Sequence, residues 1–168
     1  SWDETGRDPV GARWVDINKG DKVSPEYRSR LVAQEIKTDK REDLFAATPP
    51  LEAMRYIVHR AATNRVGRRH SVMLIDVKRA YFNAASTREM YVEIPREDQE
   101  EGDEHRVGRL QLCLYGTRDA AHNWAETVAQ QLENFGYLRG KAFPSIFFNE
   151  ASQVAVMVHG DDYLASGP

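Results

Sequence analysis

Residues 154–165 read Val-Ala-Val-Met-Val-His-Gly-Asp-Asp-Tyr-Leu-Ala. Val154 to Val158 and Tyr163 to Ala165 have the apolar character of two strands, and only four residues part them, so the stretch predicts a β-hairpin. Gly160-Asp161 falls at the centre of its turn. A type II′ turn prefers glycine at the first central position because φ is positive there. Such a turn lifts Asp161 and Asp162 to the tip. Adjacent carboxylates repel each other and lower stability unless a cation neutralises them. Mg2+ takes oxygen ligands and is commonly held by one or two carboxylates plus substrate phosphates. The plainer alternative is turn chemistry alone, since aspartate favours turns by itself.

Asp76 closes another apolar run, Val72-Met73-Leu74-Ile75. Read as a strand from Ser71 to Val77 buried in a sheet, this run leaves a charge that needs a partner. With that strand beside the hairpin, Asp76, Asp161 and Asp162 converge on one edge, although 85 positions separate the first two. This is the arrangement for two metal ions about 3.5–4 Å apart, which stabilise the attacking and leaving oxygens of an in-line phosphoryl displacement.

Outward from this centre, Arg13 to Ile17 and Arg28 to Ile36 alternate around a polar Asn-Lys-Gly-Asp turn and predict a further hairpin. Leu51, Met54, Ile57, Val58, Ala61 and Ala62 recur at helical spacing and predict a helix over about 50–65. Pro49-Pro50 stands at its start. Its other side carries Arg55, Arg60 and Arg65, with Arg68, Arg69 and His70 beyond. These form either a phosphate-facing stripe or a solvated helix face. Trp124, Val128, Leu132 and Phe135 make one stripe of a second helix, about 118–136, ended near Gly136. Further strands are expected at 89–94, 107–114 and 146–148. Strands and helices in this order predict an α+β fold, an antiparallel sheet with helices packed on one face.

The 168 residues carry 23 Lys+Arg against 26 Asp+Glu and a single cysteine, Cys113. No apolar run approaches the roughly 20 residues a membrane-spanning helix needs, so no membrane partner is expected. One cysteine excludes an intrachain disulfide, and no Cys/His spacing suits a structural zinc. Residues 1–84 hold 16 basic and 12 acidic residues, net +4, and residues 85–168 hold 7 and 14, net -7. Six of the later carboxylates form one run from Glu97 to Glu104, which reads as a solvated loop. The basic first half is available to a polyanion. The chain opens on Ser1 with no leader pattern and closes on Pro168 directly after a strand pattern, so it is expected to be a piece of a longer protein.

Four blocks then resemble, in order, the reverse transcriptase of Ty1/copia-type LTR retrotransposons. They are Arg28-Ser29-Arg30-Leu31-Val32-Ala33 with Leu44-Phe45-Ala46 and Pro50-Leu51-Glu52; Ile75-Asp76-Val77-Lys78-Arg79-Ala80-Tyr81-Phe82-Asn83 with Met90 to Pro95; Leu114-Tyr115-Gly116-Thr117-Arg118-Asp119-Ala120 with Trp124; and Val158-His159-Gly160-Asp161-Asp162-Tyr163-Leu164. The likeness runs from about residue 11 to the end. It implies one reverse-transcriptase domain over 1–168, fingers-like over about 11–70 and palm-like over about 71–168, with thumb and RNase H absent.

The resemblance further implies that Asp76, Asp161 and Asp162 bind two Mg2+ ions, with Mn2+ as a substitute, and that the Val77 carbonyl is another ligand. Tyr81 falls where the family places an aromatic residue under the incoming sugar, selecting deoxynucleotides. Arg28 and Arg30 alternate with Ser29 on one strand, and either could grip the triphosphate. Asp119 stands where the family usually has a glutamine that helps seat the nucleotide. It is read both as a nucleotide-binding position and as the cap of the helix that follows. Gly160 replaces an apolar residue that would touch the primer end, and Arg55 and Arg60 are nucleic-acid-binding candidates. The implied partners are an RNA template, a DNA primer, dNTPs and the remainder of a Gag-Pol-type polyprotein, in cytoplasmic particles and the nucleus. Two alternatives stand beside RNA-directed DNA synthesis. One is a non-catalytic relic that binds nucleic acid. The other is an RNA-dependent RNA polymerase, suggested by Gly160-Asp161-Asp162 and opposed by the aromatic Tyr81.

Overall fold

The computed structural model describes residues 6, 8–36, 44, 46–63, 69–103 and 105–168. Of the residues singled out above, Phe45, Arg65, Arg68 and Glu104 lie outside these. The chain forms two compact units, Ser1–Leu44 with Tyr81–Asn123, and Phe45–Ala80 with Trp124–Pro168.

In the first unit, β1 (Ala12–Asn18) pairs antiparallel with β2 (Tyr27–Ala33), in a register that sets Val15 opposite Arg30 and Ile17 opposite Arg28. The connection is held by its own polar side chains. Asn18 Oδ1 accepts from the Gly20 and Glu26 amides, and Asp21 Oδ1 from those of Val23 and Ser24. Beyond β2 the backbone bonds elsewhere, with the Ala33 amide donating to the Tyr115 carbonyl at 2.7 Å. Gly116, at φ +88°, makes that approach possible, because a Cβ there would run into the Ala33 carbonyl. The short strands β4 (Tyr91–Glu93) and β5 (Val107–Arg109) pair around the acidic run, whose Glu97, Asp98, Glu100 and Glu101 are exposed as a solvated loop requires. Ala33, Val92 and Leu114 form the buried core, with Phe82 packed against it.

The second unit is a five-stranded antiparallel sheet. Its order is β3 (Ser71–Asp76), β9 (Asp162–Gly167), β8 (Val154–His159), β7 (Ile146–Asn149), β6 (Leu138–Arg139). The register aligns Leu74, Leu164 and Met157 on one face and Met73, Ala165 and Val156 on the other. Helix α1 (Leu51–Ala62) seals the first face through Ala53 and Ile57, which cluster with Ala155, Met157 and Leu164. Helix α2 (Ala120–Asn134) contributes Trp124, Val128 and Leu132 to a cleft of about 610 Å³ shared with Met73, Val156 and Ala165. The two helices thus take opposite faces of the sheet, and the expected one-sided packing is corrected. Val154 to Val158 is apolar at every position, which marks a strand covered on both sides rather than one. Past α2, the Tyr137 amide bonds to the Leu132 carbonyl and the Gly136 amide to that of Glu133, with Gly136 at φ +80°. This left-handed stop is what Gly136 predicts.

Strand β3 departs from expectation. All six of its residues are exposed, Leu74 at 80%. Apolar content marked it as buried, but its position at the sheet edge leaves one side unpaired among the described residues.

Candidate active site

Val154 to His159 and Asp162 to Gly167 are joined by Gly160 and Asp161 alone. Gly160 has φ +62° and Asp161 a negative φ, the combination of a type II′ turn rather than type I′. The expected turn is therefore present. On the other side of β9, Asp76 lies directly opposite Asp162. The next pair inward to the turn is bonded, the Val77 amide donating to the Asp161 carbonyl at 2.8 Å. Pairs alternate along an antiparallel ladder, so Asp76 and Asp162 occupy a non-hydrogen-bonded position, where facing Cβ atoms come within roughly 4.5–5.5 Å. Like charges so placed destabilise the ladder.

Alternation along β9 puts Asp161 on the other side, with Tyr163. Burial, reinforced by the charge of Asp161, pushes the Tyr163 hydroxyl up to about 12. The three aspartates are all exposed, so the partner that Asp76 needs is not imposed by burial. Among the described residues, no three His, Cys, Asp or Glu side chains are grouped so as to hold a metal ion. The donors available at the hairpin tip are carboxylate and backbone carbonyl oxygens, the set that Mg2+ takes. Their backbones share one end of the sheet.

In the first unit, Tyr81 packs against Tyr115 with centroids 4.7 Å apart and the rings tilted by 43°, and the Arg30 guanidinium lies 5.7 Å over the Tyr115 ring. Phe82 meets Tyr115 edge-on and packs into the core, whereas Tyr81 is half-buried. Of the two arginines, Arg28 is exposed and Arg30 is the one held over an aromatic ring.

Two candidate residues are occupied elsewhere. The Asp119 carboxylate is buried, at 3% exposure, and takes both Nε and Nη2 of Arg88 at 2.9 and 2.8 Å. It does directly precede α2, as a capping residue would. Arg60 is buried on α1, with Nη2 donating to the Gln153 carbonyl at 2.8 Å and the guanidinium 5.0 Å from the Phe148 ring. Residues 53, 57 and 60 share the covered helical face, whereas Arg55 lies five residues from Arg60, about 140° around the helix, and is exposed. Among the described residues of the helix, Arg55 and Arg60 therefore do not share a face.

The spacing of residues along the chain also missed a charge cluster. Arg88 bonds both oxygens of Glu35 at 3.0 Å as well as Asp119, and the Arg118 amide donates to Glu35 at 2.8 Å. Arg88 holds Asp119 below the usual carboxylate range, outweighing burial. Burial pushes Glu35 up, but the hydrogen bonds from Arg88 and the Arg118 amide prevail and leave it lowered. Asn123 donates to Asp119 and to the Cys113 sulfur, and burial raises the Cys113 thiol. With 53 and 31 positions between the partners, the sequence carries no local signal of this cluster.

Residues 3–168 match the family described as "Reverse transcriptase (RNA-dependent DNA polymerase)". The chain belongs to this family. It is 26% identical over 170 residues to the retrovirus-related Pol polyprotein from transposon TNT 1-94 of Nicotiana tabacum, and 24% identical over 165 residues to that from transposon RE2 of Arabidopsis thaliana. These alignments cover 96% and 94% of this chain but only 12% and 11% of the relatives. The copia-type resemblance carried by the four blocks is borne out. No solved structure matches the chain.

Proposed function

We propose that this chain carries the nucleotidyl-transfer centre of an RNA-directed DNA polymerase, joining a dNTP to a primer 3′-hydroxyl on an RNA template. The observation that carries this is the Asp76–Asp162 pair across the β3–β9 ladder with Asp161 in the adjoining turn. A pair of like charges set face to face opposes folding unless it serves to hold a cation.

Asp76, Asp161, Asp162 and the Val77 carbonyl are the ligands for two Mg2+ ions. Bound there, the ions supply charge neutralisation at the transferring phosphoryl group and activation of the attacking oxygen. The decisive measurement is Mg2+-dependent extension of oligo(dT) on poly(rA). Little or no processive synthesis is expected from these 168 residues alone, so absence of dTMP incorporation by a longer, folded stretch of the polyprotein would sink the reading.

The ungathered carboxylates favour a second reading, in which the chain binds nucleic acid without catalysis. Metal titration separates the two. Millimolar Mg2+ or Mn2+ is expected to raise the melting temperature of the protein, and Asp76→Asn to reduce that rise, because a ligand that binds only the folded state stabilises it. A melting temperature indifferent to both ions would support the non-catalytic reading.

A further inference from the structure

Trp124 is 7% exposed, and its indole N–H donates to the carbonyl of Gly160 at 2.8 Å. That carbonyl belongs to the peptide joining Gly160 to Asp161, the central peptide of the turn. Type I′ and type II′ turns share a positive φ at the first central residue. They differ by a flip of this same peptide, which sets φ of the second central residue positive in I′ and negative in II′. Asp161 is that second residue. Aspartate tolerates positive φ better than most residues, so its own preference only weakly opposes the flip. Gly160 adds no bias, since a Cβ there would meet nothing within 4 Å and glycine accepts either state.

We infer that Trp124 is a positioning residue for the carboxylate turn: its hydrogen bond pins the central peptide in the type II′ orientation and thereby fixes where Asp161 projects. This rests on the assignment of Asp76, Asp161 and Asp162 as metal ligands. It adds that a helix residue 37 positions before Asp161 sets their geometry. Val128, one turn further along α2, is buried to the same degree and has no polar atom to offer the turn.

The experiment compares the unmutated protein, Trp124→Phe and Val128→Ala by NMR and by Mn2+ titration followed with electron paramagnetic resonance. In the unmutated protein the Trp124 indole proton should exchange slowly with solvent. Trp124→Phe keeps a ring but loses the donor. It should strengthen the intraresidue amide–Hα cross-peak of Asp161, as positive φ shortens that distance, and weaken Mn2+ binding by about two- to tenfold, the size of one net hydrogen bond. Val128→Ala should lower the melting temperature while leaving both readouts unchanged.

Rapid indole exchange would overturn the inference without any substitution, so failure of Trp124→Phe to fold does not shelter it. An unaltered Asp161 cross-peak in Trp124→Phe would also overturn it. If the unmutated protein binds no Mn2+, the metal assignment fails, and the cross-peak still decides whether Trp124 governs the turn.

Discussion

Asp161→Asn is expected to lower Mg2+-dependent primer extension by about two to three orders of magnitude, the scale of several kcal/mol of metal-assisted transition-state stabilisation. The substitution is nearly isosteric, and asparagine is as compatible with a turn as aspartate, so the hairpin should persist. A second readout tests the local geometry without any metal. Because the Asp161 charge contributes to the raised Tyr163 value, the variant should bring that hydroxyl down from about 12, measurable by ultraviolet titration. Glu101→Gln, in the exposed acidic loop, should leave extension unchanged. Extension by Asp161→Asn within about tenfold of the unmutated rate would remove Asp161 from the catalytic set.

The largest stability effect is expected at Arg88. Arg88→Leu leaves Glu35 and Asp119, with side-chain exposures of 15% and 4%, without their cation, held only by the Arg118 amide and Asn123. Removing one partner of a buried ion pair costs about 3–5 kcal/mol, and in a domain of this size that lowers the melting temperature by on the order of 10 °C. Replacing Glu35 and Asp119 as well, by Gln and Asn, should recover part of the loss, since no uncompensated charge then stays inside.

The pH dependence has a definite sign. Both carboxyls are held below their ordinary values of 4.5 and 3.8, so their contribution is complete above those values and is lost as pH falls through the lowered ones. The unmutated protein should therefore destabilise progressively below about pH 4, and Arg88→Leu should flatten that limb of the curve. An acid limb of equal steepness in both proteins would show that the cluster does not govern it.

The local features were legible because their causes are local. Gly160-Asp161 between two apolar runs dictates a tight turn, Gly136 dictates the end of α2, and the acidic run from Glu97 has too little apolar content to be anything but a loop. Position within the sheet was not legible. Val72 to Ile75 has the composition of a central strand, yet nothing within those residues says which strands flank it. The Arg60 case was readable in principle, since helical geometry separates it from Arg55. An inward-facing arginine is recognised only when its acceptor, the Gln153 carbonyl 93 positions away, is known. Asp119 illustrates the same limit. Its placement ahead of a helix is a matter of sequence, but its engagement by Arg88 is a matter of tertiary structure.

The register of β3 on β9 also has a kinetic side. Asp76 and Asp162 face each other across 86 positions of chain, and residues 81–123 between them belong to the other compact unit. Closing a flexible loop of that length costs about 4 kcal/mol of chain entropy, and such remote pairings form slowly. The hairpin β8–β9 needs only a two-residue turn and can zip early, so the tip carries Asp161 and Asp162 before Asp76 arrives. Metal-dependent stabilisation should then appear only in the slowest refolding phase, making a bound ion a reporter that the whole chain has reached its final topology.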